Sequence, residues 1–176
     1  MLKRLAVALA ILGLAPVAAV AHGPSRQKVS ETIEINAPVD KVWAVIGNFQ
    51  DMSWHPAIAK TEGKGGNDVN ATRTLTLKSG GTIDEQLDKY NAADHFYAYE
   101  ITKVDVKVLP INDYSSRITV TANGDKSTVE WHGAFYRGYM LNDPPPELND
   151  EVAVNAVTGI YKDGLAALKK KIEGGS

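Results

Sequence analysis

The chain has 176 residues, with 19 Lys and Arg against 21 Asp and Glu, and it contains no Cys. The lack of Cys excludes disulfides, thiolate metal sites and Cys nucleophiles. The acidic balance argues against nucleic-acid binding, which needs a basic surface, and favours a basic protein partner through complementary charge.

The first 21 residues have the features of a secretory signal peptide. Two basic residues precede an apolar stretch at 5–15, and Ala-Val-Ala at 19–21 forms a small-x-small cleavage pattern. Pro16 interrupts the apolar run, which is also short for a membrane span of about 20 residues. We therefore expect a periplasmic protein without a membrane anchor, whose mature chain begins at His22 and carries 17 Lys and Arg against 21 Asp and Glu.

The mature chain opens with a polar lead at 22–27, and the domain is predicted to span residues 28–173. Alternating residues at 29–35 predict a half-buried strand. Pro38 suits the first turn of a helix, where its missing N–H costs little. Apolar residues then recur at helical spacing as far as Phe49, so a short helix should follow the first strand.

A long β region comes next, and a long helix ends the chain. Gly-rich turns separate the strands, and Asn123-Gly124 is a strong hairpin signal. The helix, from Glu147 to Ile172, has one apolar face. A sheet of this size needs a cover, so we predict an α+β fold in which a curved antiparallel sheet surrounds the C-terminal helix and leaves a cavity between them. The predicted strands cover residues 60–64, 72–77, 82–90, 95–108, 116–122 and 127–136.

Several segments carry a resemblance to a known superfamily. The sequence resembles the START/Bet v1-like (SRPBCC) superfamily and, within it, members of the polyketide cyclase/dehydrase type. The resemblance covers about residues 28–172 and implies the helix-grip fold. It rests on Val42-Trp43 with 49–56, on 87–90 with 97–101, on 128–131 with Phe135, and on 161–169.

The exported form and its length resemble the MxaD-like periplasmic proteins of bacterial methanol oxidation. That resemblance implies a non-enzymatic accessory protein without a cofactor of its own. Its implied partners are methanol dehydrogenase and the cytochrome c that accepts its electrons. The alternative, which the residues leave open, is a protein that binds a small hydrophobic ligand or a cyclase-like enzyme that uses the cavity.

Strand alternation predicts which side chains face the cavity. If Leu75, Ile83 and Ile101 point inward, then the polar and aromatic residues that lie two or four positions away on the same strands point inward with them. A few polar groups that converge in an apolar space are typical of a small-molecule site. The alternative is a buried ion pair with core aromatics around it. The candidate cavity residues are Arg73, Glu85, Tyr97, Tyr99 and Trp131.

Two segments are candidates for the cavity rim or for contact with a partner. They are Trp54-His55 and the Pro-rich loop with Pro144 and Pro145, whose stiffness reduces the entropy lost on binding. The alternative for Trp54 is that it fills the end of the core. The sequence offers no catalytic set, and its four scattered His do not form a metal-binding pattern.

Overall fold

The computed structural model describes residues 23–174, so the predicted signal peptide and the N-terminus at His22 lie outside the described residues. The described residues form one seven-stranded sheet and two α-helices in the predicted order, and the α+β helix-grip prediction is confirmed. The strands are β1 (Gln27–Ile35), β2 (Ile58–Lys64), β3 (Thr72–Leu77), β4 (Thr82–Asn91), β5 (Phe96–Val104), β6 (Ile111–Asn123) and β7 (Lys126–Arg137), and the helices are α1 (Val39–Ile46) and α2 (Asp150–Glu173).

The sheet is antiparallel throughout, in the order β1-β7-β6-β5-β4-β3-β2. The first strand therefore pairs with the last, and Ile33 lies opposite Val129. The turn at Gly124 closes the β6–β7 hairpin with a positive φ of 60°, as its Asn-Gly sequence predicted. This order places β3, β4 and β5 at a distance from β1 and β7.

Helix α2 packs across β1 and β7. Its C-terminal end is attached to the end of β1, because Lys169 Nζ donates to the carbonyl of Glu34 (2.6 Å) and Glu173 Oε1 accepts from the amide of Asn36 (2.7 Å). At the other end, the side chain of Asn149 caps the helix by accepting from the amide of Val152 (2.9 Å). No helix within residues 23–174 combines the length and the apolar character needed to cross a membrane.

Two glycines set how closely α2 and its neighbours approach each other. A Cβ on Gly164 of α2 would lie 2.5 Å from Cδ2 of His55 and 2.9 Å from Cζ3 of Trp131. A Cβ on Gly133 of β7 would collide with the hydroxyl oxygen of Tyr161. Gly164 of the helix thus leaves room for the Trp131 ring of the sheet, and Gly133 of the sheet leaves room for the Tyr161 hydroxyl of the helix.

The structure corrects several predicted boundaries, and β6 begins at Ile111, five residues before its predicted start. Residues 105–109 form a turn, although the alternation of Val104, Val106 and Val108 predicted a strand there. Asp105 causes the turn, because its carbonyl accepts from the amides of Val108 (2.8 Å) and Leu109 (3.0 Å), and its side chain accepts from the amide of Lys107 (2.9 Å).

A further corrected boundary is the start of α2. The helix begins at Asp150 and not at Glu147, since residues Pro146–Leu148 form a separate 3-10 turn before the cap at Asn149.

Candidate ligand-binding cavity

A cavity of about 280 Å³ lies between the N-terminal half of α2 and the strands β3 to β7. Its walls are mainly apolar, and Leu75, Leu77, Ile83, Ile101, Leu109, Val157 and Ile160 supply much of their surface. The cavity exists because α2 packs on β1 and β7, so its N-terminal half passes over β3, β4 and β5 without filling the space. The polar or aromatic groups in the wall are His55, Glu85, Tyr99, Tyr114, Trp131 and Tyr161.

Loops form one end of the cavity. Val108, in the turn after β5, packs against the turn between β3 and β4, where Gly81 has a positive φ of 86°. A Cβ on Gly81 would collide with Cγ2 of Val108, so this contact requires glycine. Ala57 and Ser79 line the same cavity from neighbouring loops. This end is called the loop end below.

A chain of hydrogen bonds joins the aromatic residues of the cavity wall. Trp131 Nε1 donates to Ser116 Oγ (2.9 Å) and lies 3.2 Å from the hydroxyl of Tyr99. Ser116 Oγ lies 3.1 Å from the hydroxyl of Tyr161, which lies 2.6 Å from that of Tyr114. Burial raises the pKa of Tyr99 and of Tyr114 well above the usual value, so both hydroxyls keep their protons.

Glu85 is the carboxylate of the cavity, and Arg73 holds it from behind. Arg73 Nε donates to Glu85 Oε2 (2.6 Å), and Nη1 donates to the carbonyl of Phe49 (2.7 Å). The guanidinium also stacks on the Phe49 ring, 4.1 Å from its centroid. Burial raises the pKa of Glu85, and the charge of Arg73 opposes that shift. Within this buried pair each ion has its opposite charge, and Arg73 alone makes a further hydrogen bond, to Phe49.

His55 connects the loop before β2 to α2. Its Nδ1 accepts from the amide of Ala57 (3.2 Å), which leaves the proton on Nε2 to donate to the carbonyl of Ile160 (2.9 Å). Burial lowers the pKa of His55, so the neutral ring is favoured. Both ring nitrogens are therefore engaged, Nδ1 within its own loop and Nε2 in holding α2.

The arrangement of sheet, helix and cavity agrees with comparisons to known proteins. A family model described as polyketide cyclase/dehydrase and lipid transport matches residues 26–173. The chain belongs to this family. The matched residues include all seven strands, both helices and every residue of the cavity wall.

Solved structures similar to this member of the polyketide cyclase/dehydrase and lipid transport family include two from Bacillus. An uncharacterised protein from Bacillus thuringiensis is 31% identical with a TM-score of 0.69, over 84% of this chain and 99% of its own. The protein XoxI from Bacillus cereus is 32% identical with a TM-score of 0.70, over 83% of this chain and 95% of its own.

A plant enzyme has the same fold. Norcoclaurine synthase from Thalictrum flavum, solved with dopamine and hydroxybenzaldehyde, is 15% identical with a TM-score of 0.63, over 97% of this chain and 99% of its own. At that identity the likeness shows the fold alone. A search of the curated proteins found no match.

The five predicted cavity residues are all buried, but only three belong to the cavity wall. Glu85, Tyr99 and Trp131 line it. Arg73 and Tyr97 do not, so their prediction as wall residues is wrong. The reason is Phe49, whose ring packs against both Tyr97 (6.0 Å between centroids) and the Arg73 guanidinium and so covers them.

The predicted rim divides into two outcomes. Trp54 and His55 are only 3% and 2% exposed, so neither is open to a partner, and of the two only His55 lines the cavity. Trp54 packs on Trp131 with 5.7 Å between ring centroids and fills the end of the core, which was the alternative. Pro144 and Pro145 are half-buried, and their role in binding a partner stays a prediction.

Sequence reasoning missed Tyr114, Ser116 and Tyr161 as members of the cavity's hydrogen-bond chain. Tyr161 could have been found, because it lies four residues from both Val157 and Leu165 on the predicted apolar face. Tyr114 lies before residue 116, where its strand was predicted to begin, so alternation could not predict which face of the sheet its side chain lies on. Among residues 23–174, no group of three or more His, Asp or Glu side chains is placed to hold a metal ion.

Proposed function

We propose that this protein binds a small, mainly apolar molecule in its cavity and does so without transforming it. The observation that carries the proposal is the cavity itself, about 280 Å³ with mainly apolar walls and a few polar groups. Ligand sites commonly start at about 300 Å³ and combine these two features. An apolar cavity of about 150 Å³ in another protein already binds benzene, so one substituted ring has room here.

The candidate acid–base groups of the cavity are engaged in structural interactions, which supports binding over catalysis. Arg73 holds the Glu85 carboxylate, and both ring nitrogens of His55 hold backbone groups. A general base needs a free lone pair within reach of its substrate, which His55 lacks and which Glu85 keeps only on Oε1. Burial raises the pKa of Tyr161, as it does for the other two tyrosines of the wall, so none supplies a phenolate near neutral pH.

The test is a titration with indole, followed by the shift in melting temperature and by Trp fluorescence. We expect saturable binding by the wild type and its loss in Ala156→Leu, because Ala156 lines the cavity and the larger side chain would fill it. Gly159→Ala is the control on the same helix, since its new Cβ meets nothing within 4 Å. No saturable binding, or equal binding by Ala156→Leu, would contradict the proposal.

We further propose that the chain works in the periplasm as an accessory protein of methanol oxidation, where it helps methanol dehydrogenase and its cytochrome c to interact. The support from the sequence is its predicted signal peptide and its resemblance to MxaD-like proteins. The support from the structure is the exposed loop after β7. Within it Met140 is 41% and Leu141 67% exposed, beside Pro144 and Pro145.

The charge around this loop indicates the chemistry of its partner. Residues 138–151 contain no Lys or Arg, and they contain Asp143, Glu147, Asp150 and Glu151. Asp150 pairs with Arg137 (3.1 Å), while Asp143 and Glu147 lie at exposed positions of the same segment. An apolar centre with an acidic surround matches a partner surface that is apolar with a basic surround.

The accessory role predicts a measurable effect on electron transfer. We expect the mature protein to raise the rate of transfer from methanol dehydrogenase to its cytochrome c, and Leu141→Ser to abolish that increase. The cavity variant Ala156→Leu separates the two proposals, since it leaves this loop unchanged. A rate that does not respond to the protein would contradict the accessory role. Mass spectrometry of the exported protein tests the expected start at His22.

A further inference from the structure

The hydrogen-bond chain in the cavity wall has a fixed direction. At one end, Ser116 Oγ lies 2.8 Å from the carbonyl of His132 and must donate to it, because a carbonyl only accepts. A serine hydroxyl has one proton, so Ser116 accepts from its other neighbours. The hydroxyl of Tyr161, 3.1 Å away, is therefore the donor in that pair.

The next hydrogen bonds of this network have fixed directions as well. Because the proton of Tyr161 is used, the 2.6 Å bond between Tyr161 and Tyr114 must be donated by Tyr114. That leaves Tyr99 at the end, with only the Tyr114 hydroxyl to donate to, at 3.4 Å. Hydroxyl–oxygen bonds are usually about 2.5–3.0 Å long, so the Tyr99 proton has a poor acceptor. Tyr99 is also in the cavity wall.

Glu85 presents the complementary group to the same space. Its Oε2 accepts from Arg73, whereas Oε1 takes part in no hydrogen bond with any residue between 23 and 174. Glu85 pairs with Ile101 and Leu87 pairs with Tyr99 across β4 and β5, so Glu85 and Tyr99 are diagonal neighbours on one face of the sheet. Such neighbours lie about 7–8 Å apart, within reach of one group placed between two long side chains.

We infer that the cavity selects a small apolar molecule that carries a hydroxyl group, which accepts from Tyr99 and donates to Glu85 Oε1. This inference rests on the proposed binding function and names the class of its ligand. A hydroxyl meets both requirements because it donates one hydrogen bond and accepts another. Without such a group, the Tyr99 proton and the Glu85 oxygen would both be desolvated by the ligand and left without partners, which would weaken binding.

The test uses p-cresol and p-xylene, which have similar shapes and differ by a hydroxyl in place of a methyl group. Affinities are measured by calorimetric titration of the wild type and of Tyr99→Phe. We expect the wild type to bind p-cresol more tightly than p-xylene, and Tyr99→Phe to weaken p-cresol about tenfold, an effect of about 1.4 kcal/mol, while p-xylene binding stays within twofold.

Tyr97→Phe is the matched control. It removes a buried hydroxyl from the same strand, but one that does not line the cavity and makes no hydrogen bond within residues 23–174, so the preference for p-cresol should remain. The fold should survive in Tyr99→Phe, because Trp131 Nε1 keeps its shorter bond to Ser116 (2.9 Å).

Two contrary outcomes are distinguishable. If both probes bind and p-xylene binds at least as well as p-cresol, or if Tyr99→Phe weakens both equally, the selection of a hydroxyl is wrong and ligand binding stands. If neither probe binds to the wild type, nor indole, the proposed binding function fails together with the inference.

Discussion

The two halves of the sheet's inner face are covered in different ways. Over β1 and β7 the sheet contacts α2 directly, and the helix buries Leu165, Leu168 and Ile172 there. Over β3, β4 and β5 the same helix leaves a cavity of about 280 Å³. The strands of both halves alternate in the same way, so the difference comes from where α2 is attached and not from the strands.

A second contrast lies within the cavity half itself. Glu85 and Arg73 are register partners on adjacent strands, and both point to the inner face. Glu85 faces the cavity, whereas Phe49 covers Arg73 with its ring and its carbonyl. A polar side chain on this face therefore lines the cavity if nothing covers it, as Glu85 does. If another residue packs over it, as Phe49 does over Arg73, it supports a cavity residue instead.

The largest effect should come from breaking that support. In Arg73→Met, the carboxylate of Glu85 stays buried without its partner, and the free energy of unfolding should fall by about 3–5 kcal/mol. Urea unfolding followed by circular dichroism measures it. The double variant Arg73→Met/Glu85→Met should recover most of the loss, because a well-packed apolar pair can replace a buried ion pair. A single variant as stable as the wild type would refute the supporting role.

The boundary between the covered and open halves is tested at Gly164. Gly164→Ala should lower the free energy of unfolding by about 1–3 kcal/mol, because its Cβ would crowd His55 and Trp131. Gly159→Ala, on the same helix with nothing within 4 Å of its Cβ, should instead raise stability by up to about 1 kcal/mol. Equal changes in the two variants would mean that the close approach at Gly164 does not matter.

The contrast in packing is tested by two alanines of α2. Ala153 is fully buried, and Ala153→Leu should cost about 1–3 kcal/mol through overpacking. Ala156 faces the cavity, and Ala156→Leu should be neutral or stabilise the fold by about 0.5–2 kcal/mol. Thermal and urea unfolding of both variants decide the point. If Ala156→Leu is as destabilising as Ala153→Leu, the open half is as closely packed as the covered half.

The smallest effect is confined to acidic pH and concerns His55, which holds α2 over the cavity. Burial puts its folded pKa below the usual 6.5, so in the window between the two values the unfolded chain binds more protons. Stability from this group is therefore complete above about pH 6.5 and is lost as the pH falls through the folded pKa. Unfolding measured from about pH 7.5 to 5 should show this loss in the wild type and not in His55→Gln.

The exposed His132 provides the control for that experiment. His132→Gln removes an imidazole from β7 without touching the contact between His55 and α2, so it should keep the acid-dependent loss of the wild type. If His132→Gln also removed the loss, its cause would not be the buried ring.

Sequence patterns predicted the strands and their facing because a period of two is a local property. Leu75, Glu85 and Tyr99 face inward as their alternation indicated. The cover over each face is not local: nothing in the sequence around Arg73 says that Phe49 will pass over it. The same holds for Trp54, for which the sequence left both the cavity rim and the end of the core open, while the tertiary fold placed it on Trp131.

Alternation also misled where a side chain competed with the strand. Val104, Val106 and Val108 have a period of two, yet Asp105 binds the amides that follow it and turns the chain. The resulting turn carries Val108 and Leu109 into the cavity wall. The sequence therefore predicted the sheet better than the site, because loops complete the site.

Gly164 and Gly133 also bear on how a molecule would enter or leave the cavity. Sliding α2 by one turn, about 5.4 Å, would bring Ile160 or Leu168 to the place of Gly164, where the rings of His55 and Trp131 leave no room for a Cβ. The helix thus has one axial position on the sheet and acts as a fixed wall. The rate at which a molecule enters or leaves should then depend on the loop end, where Val108 rests on the turn at Gly81, and not on motion of the helix.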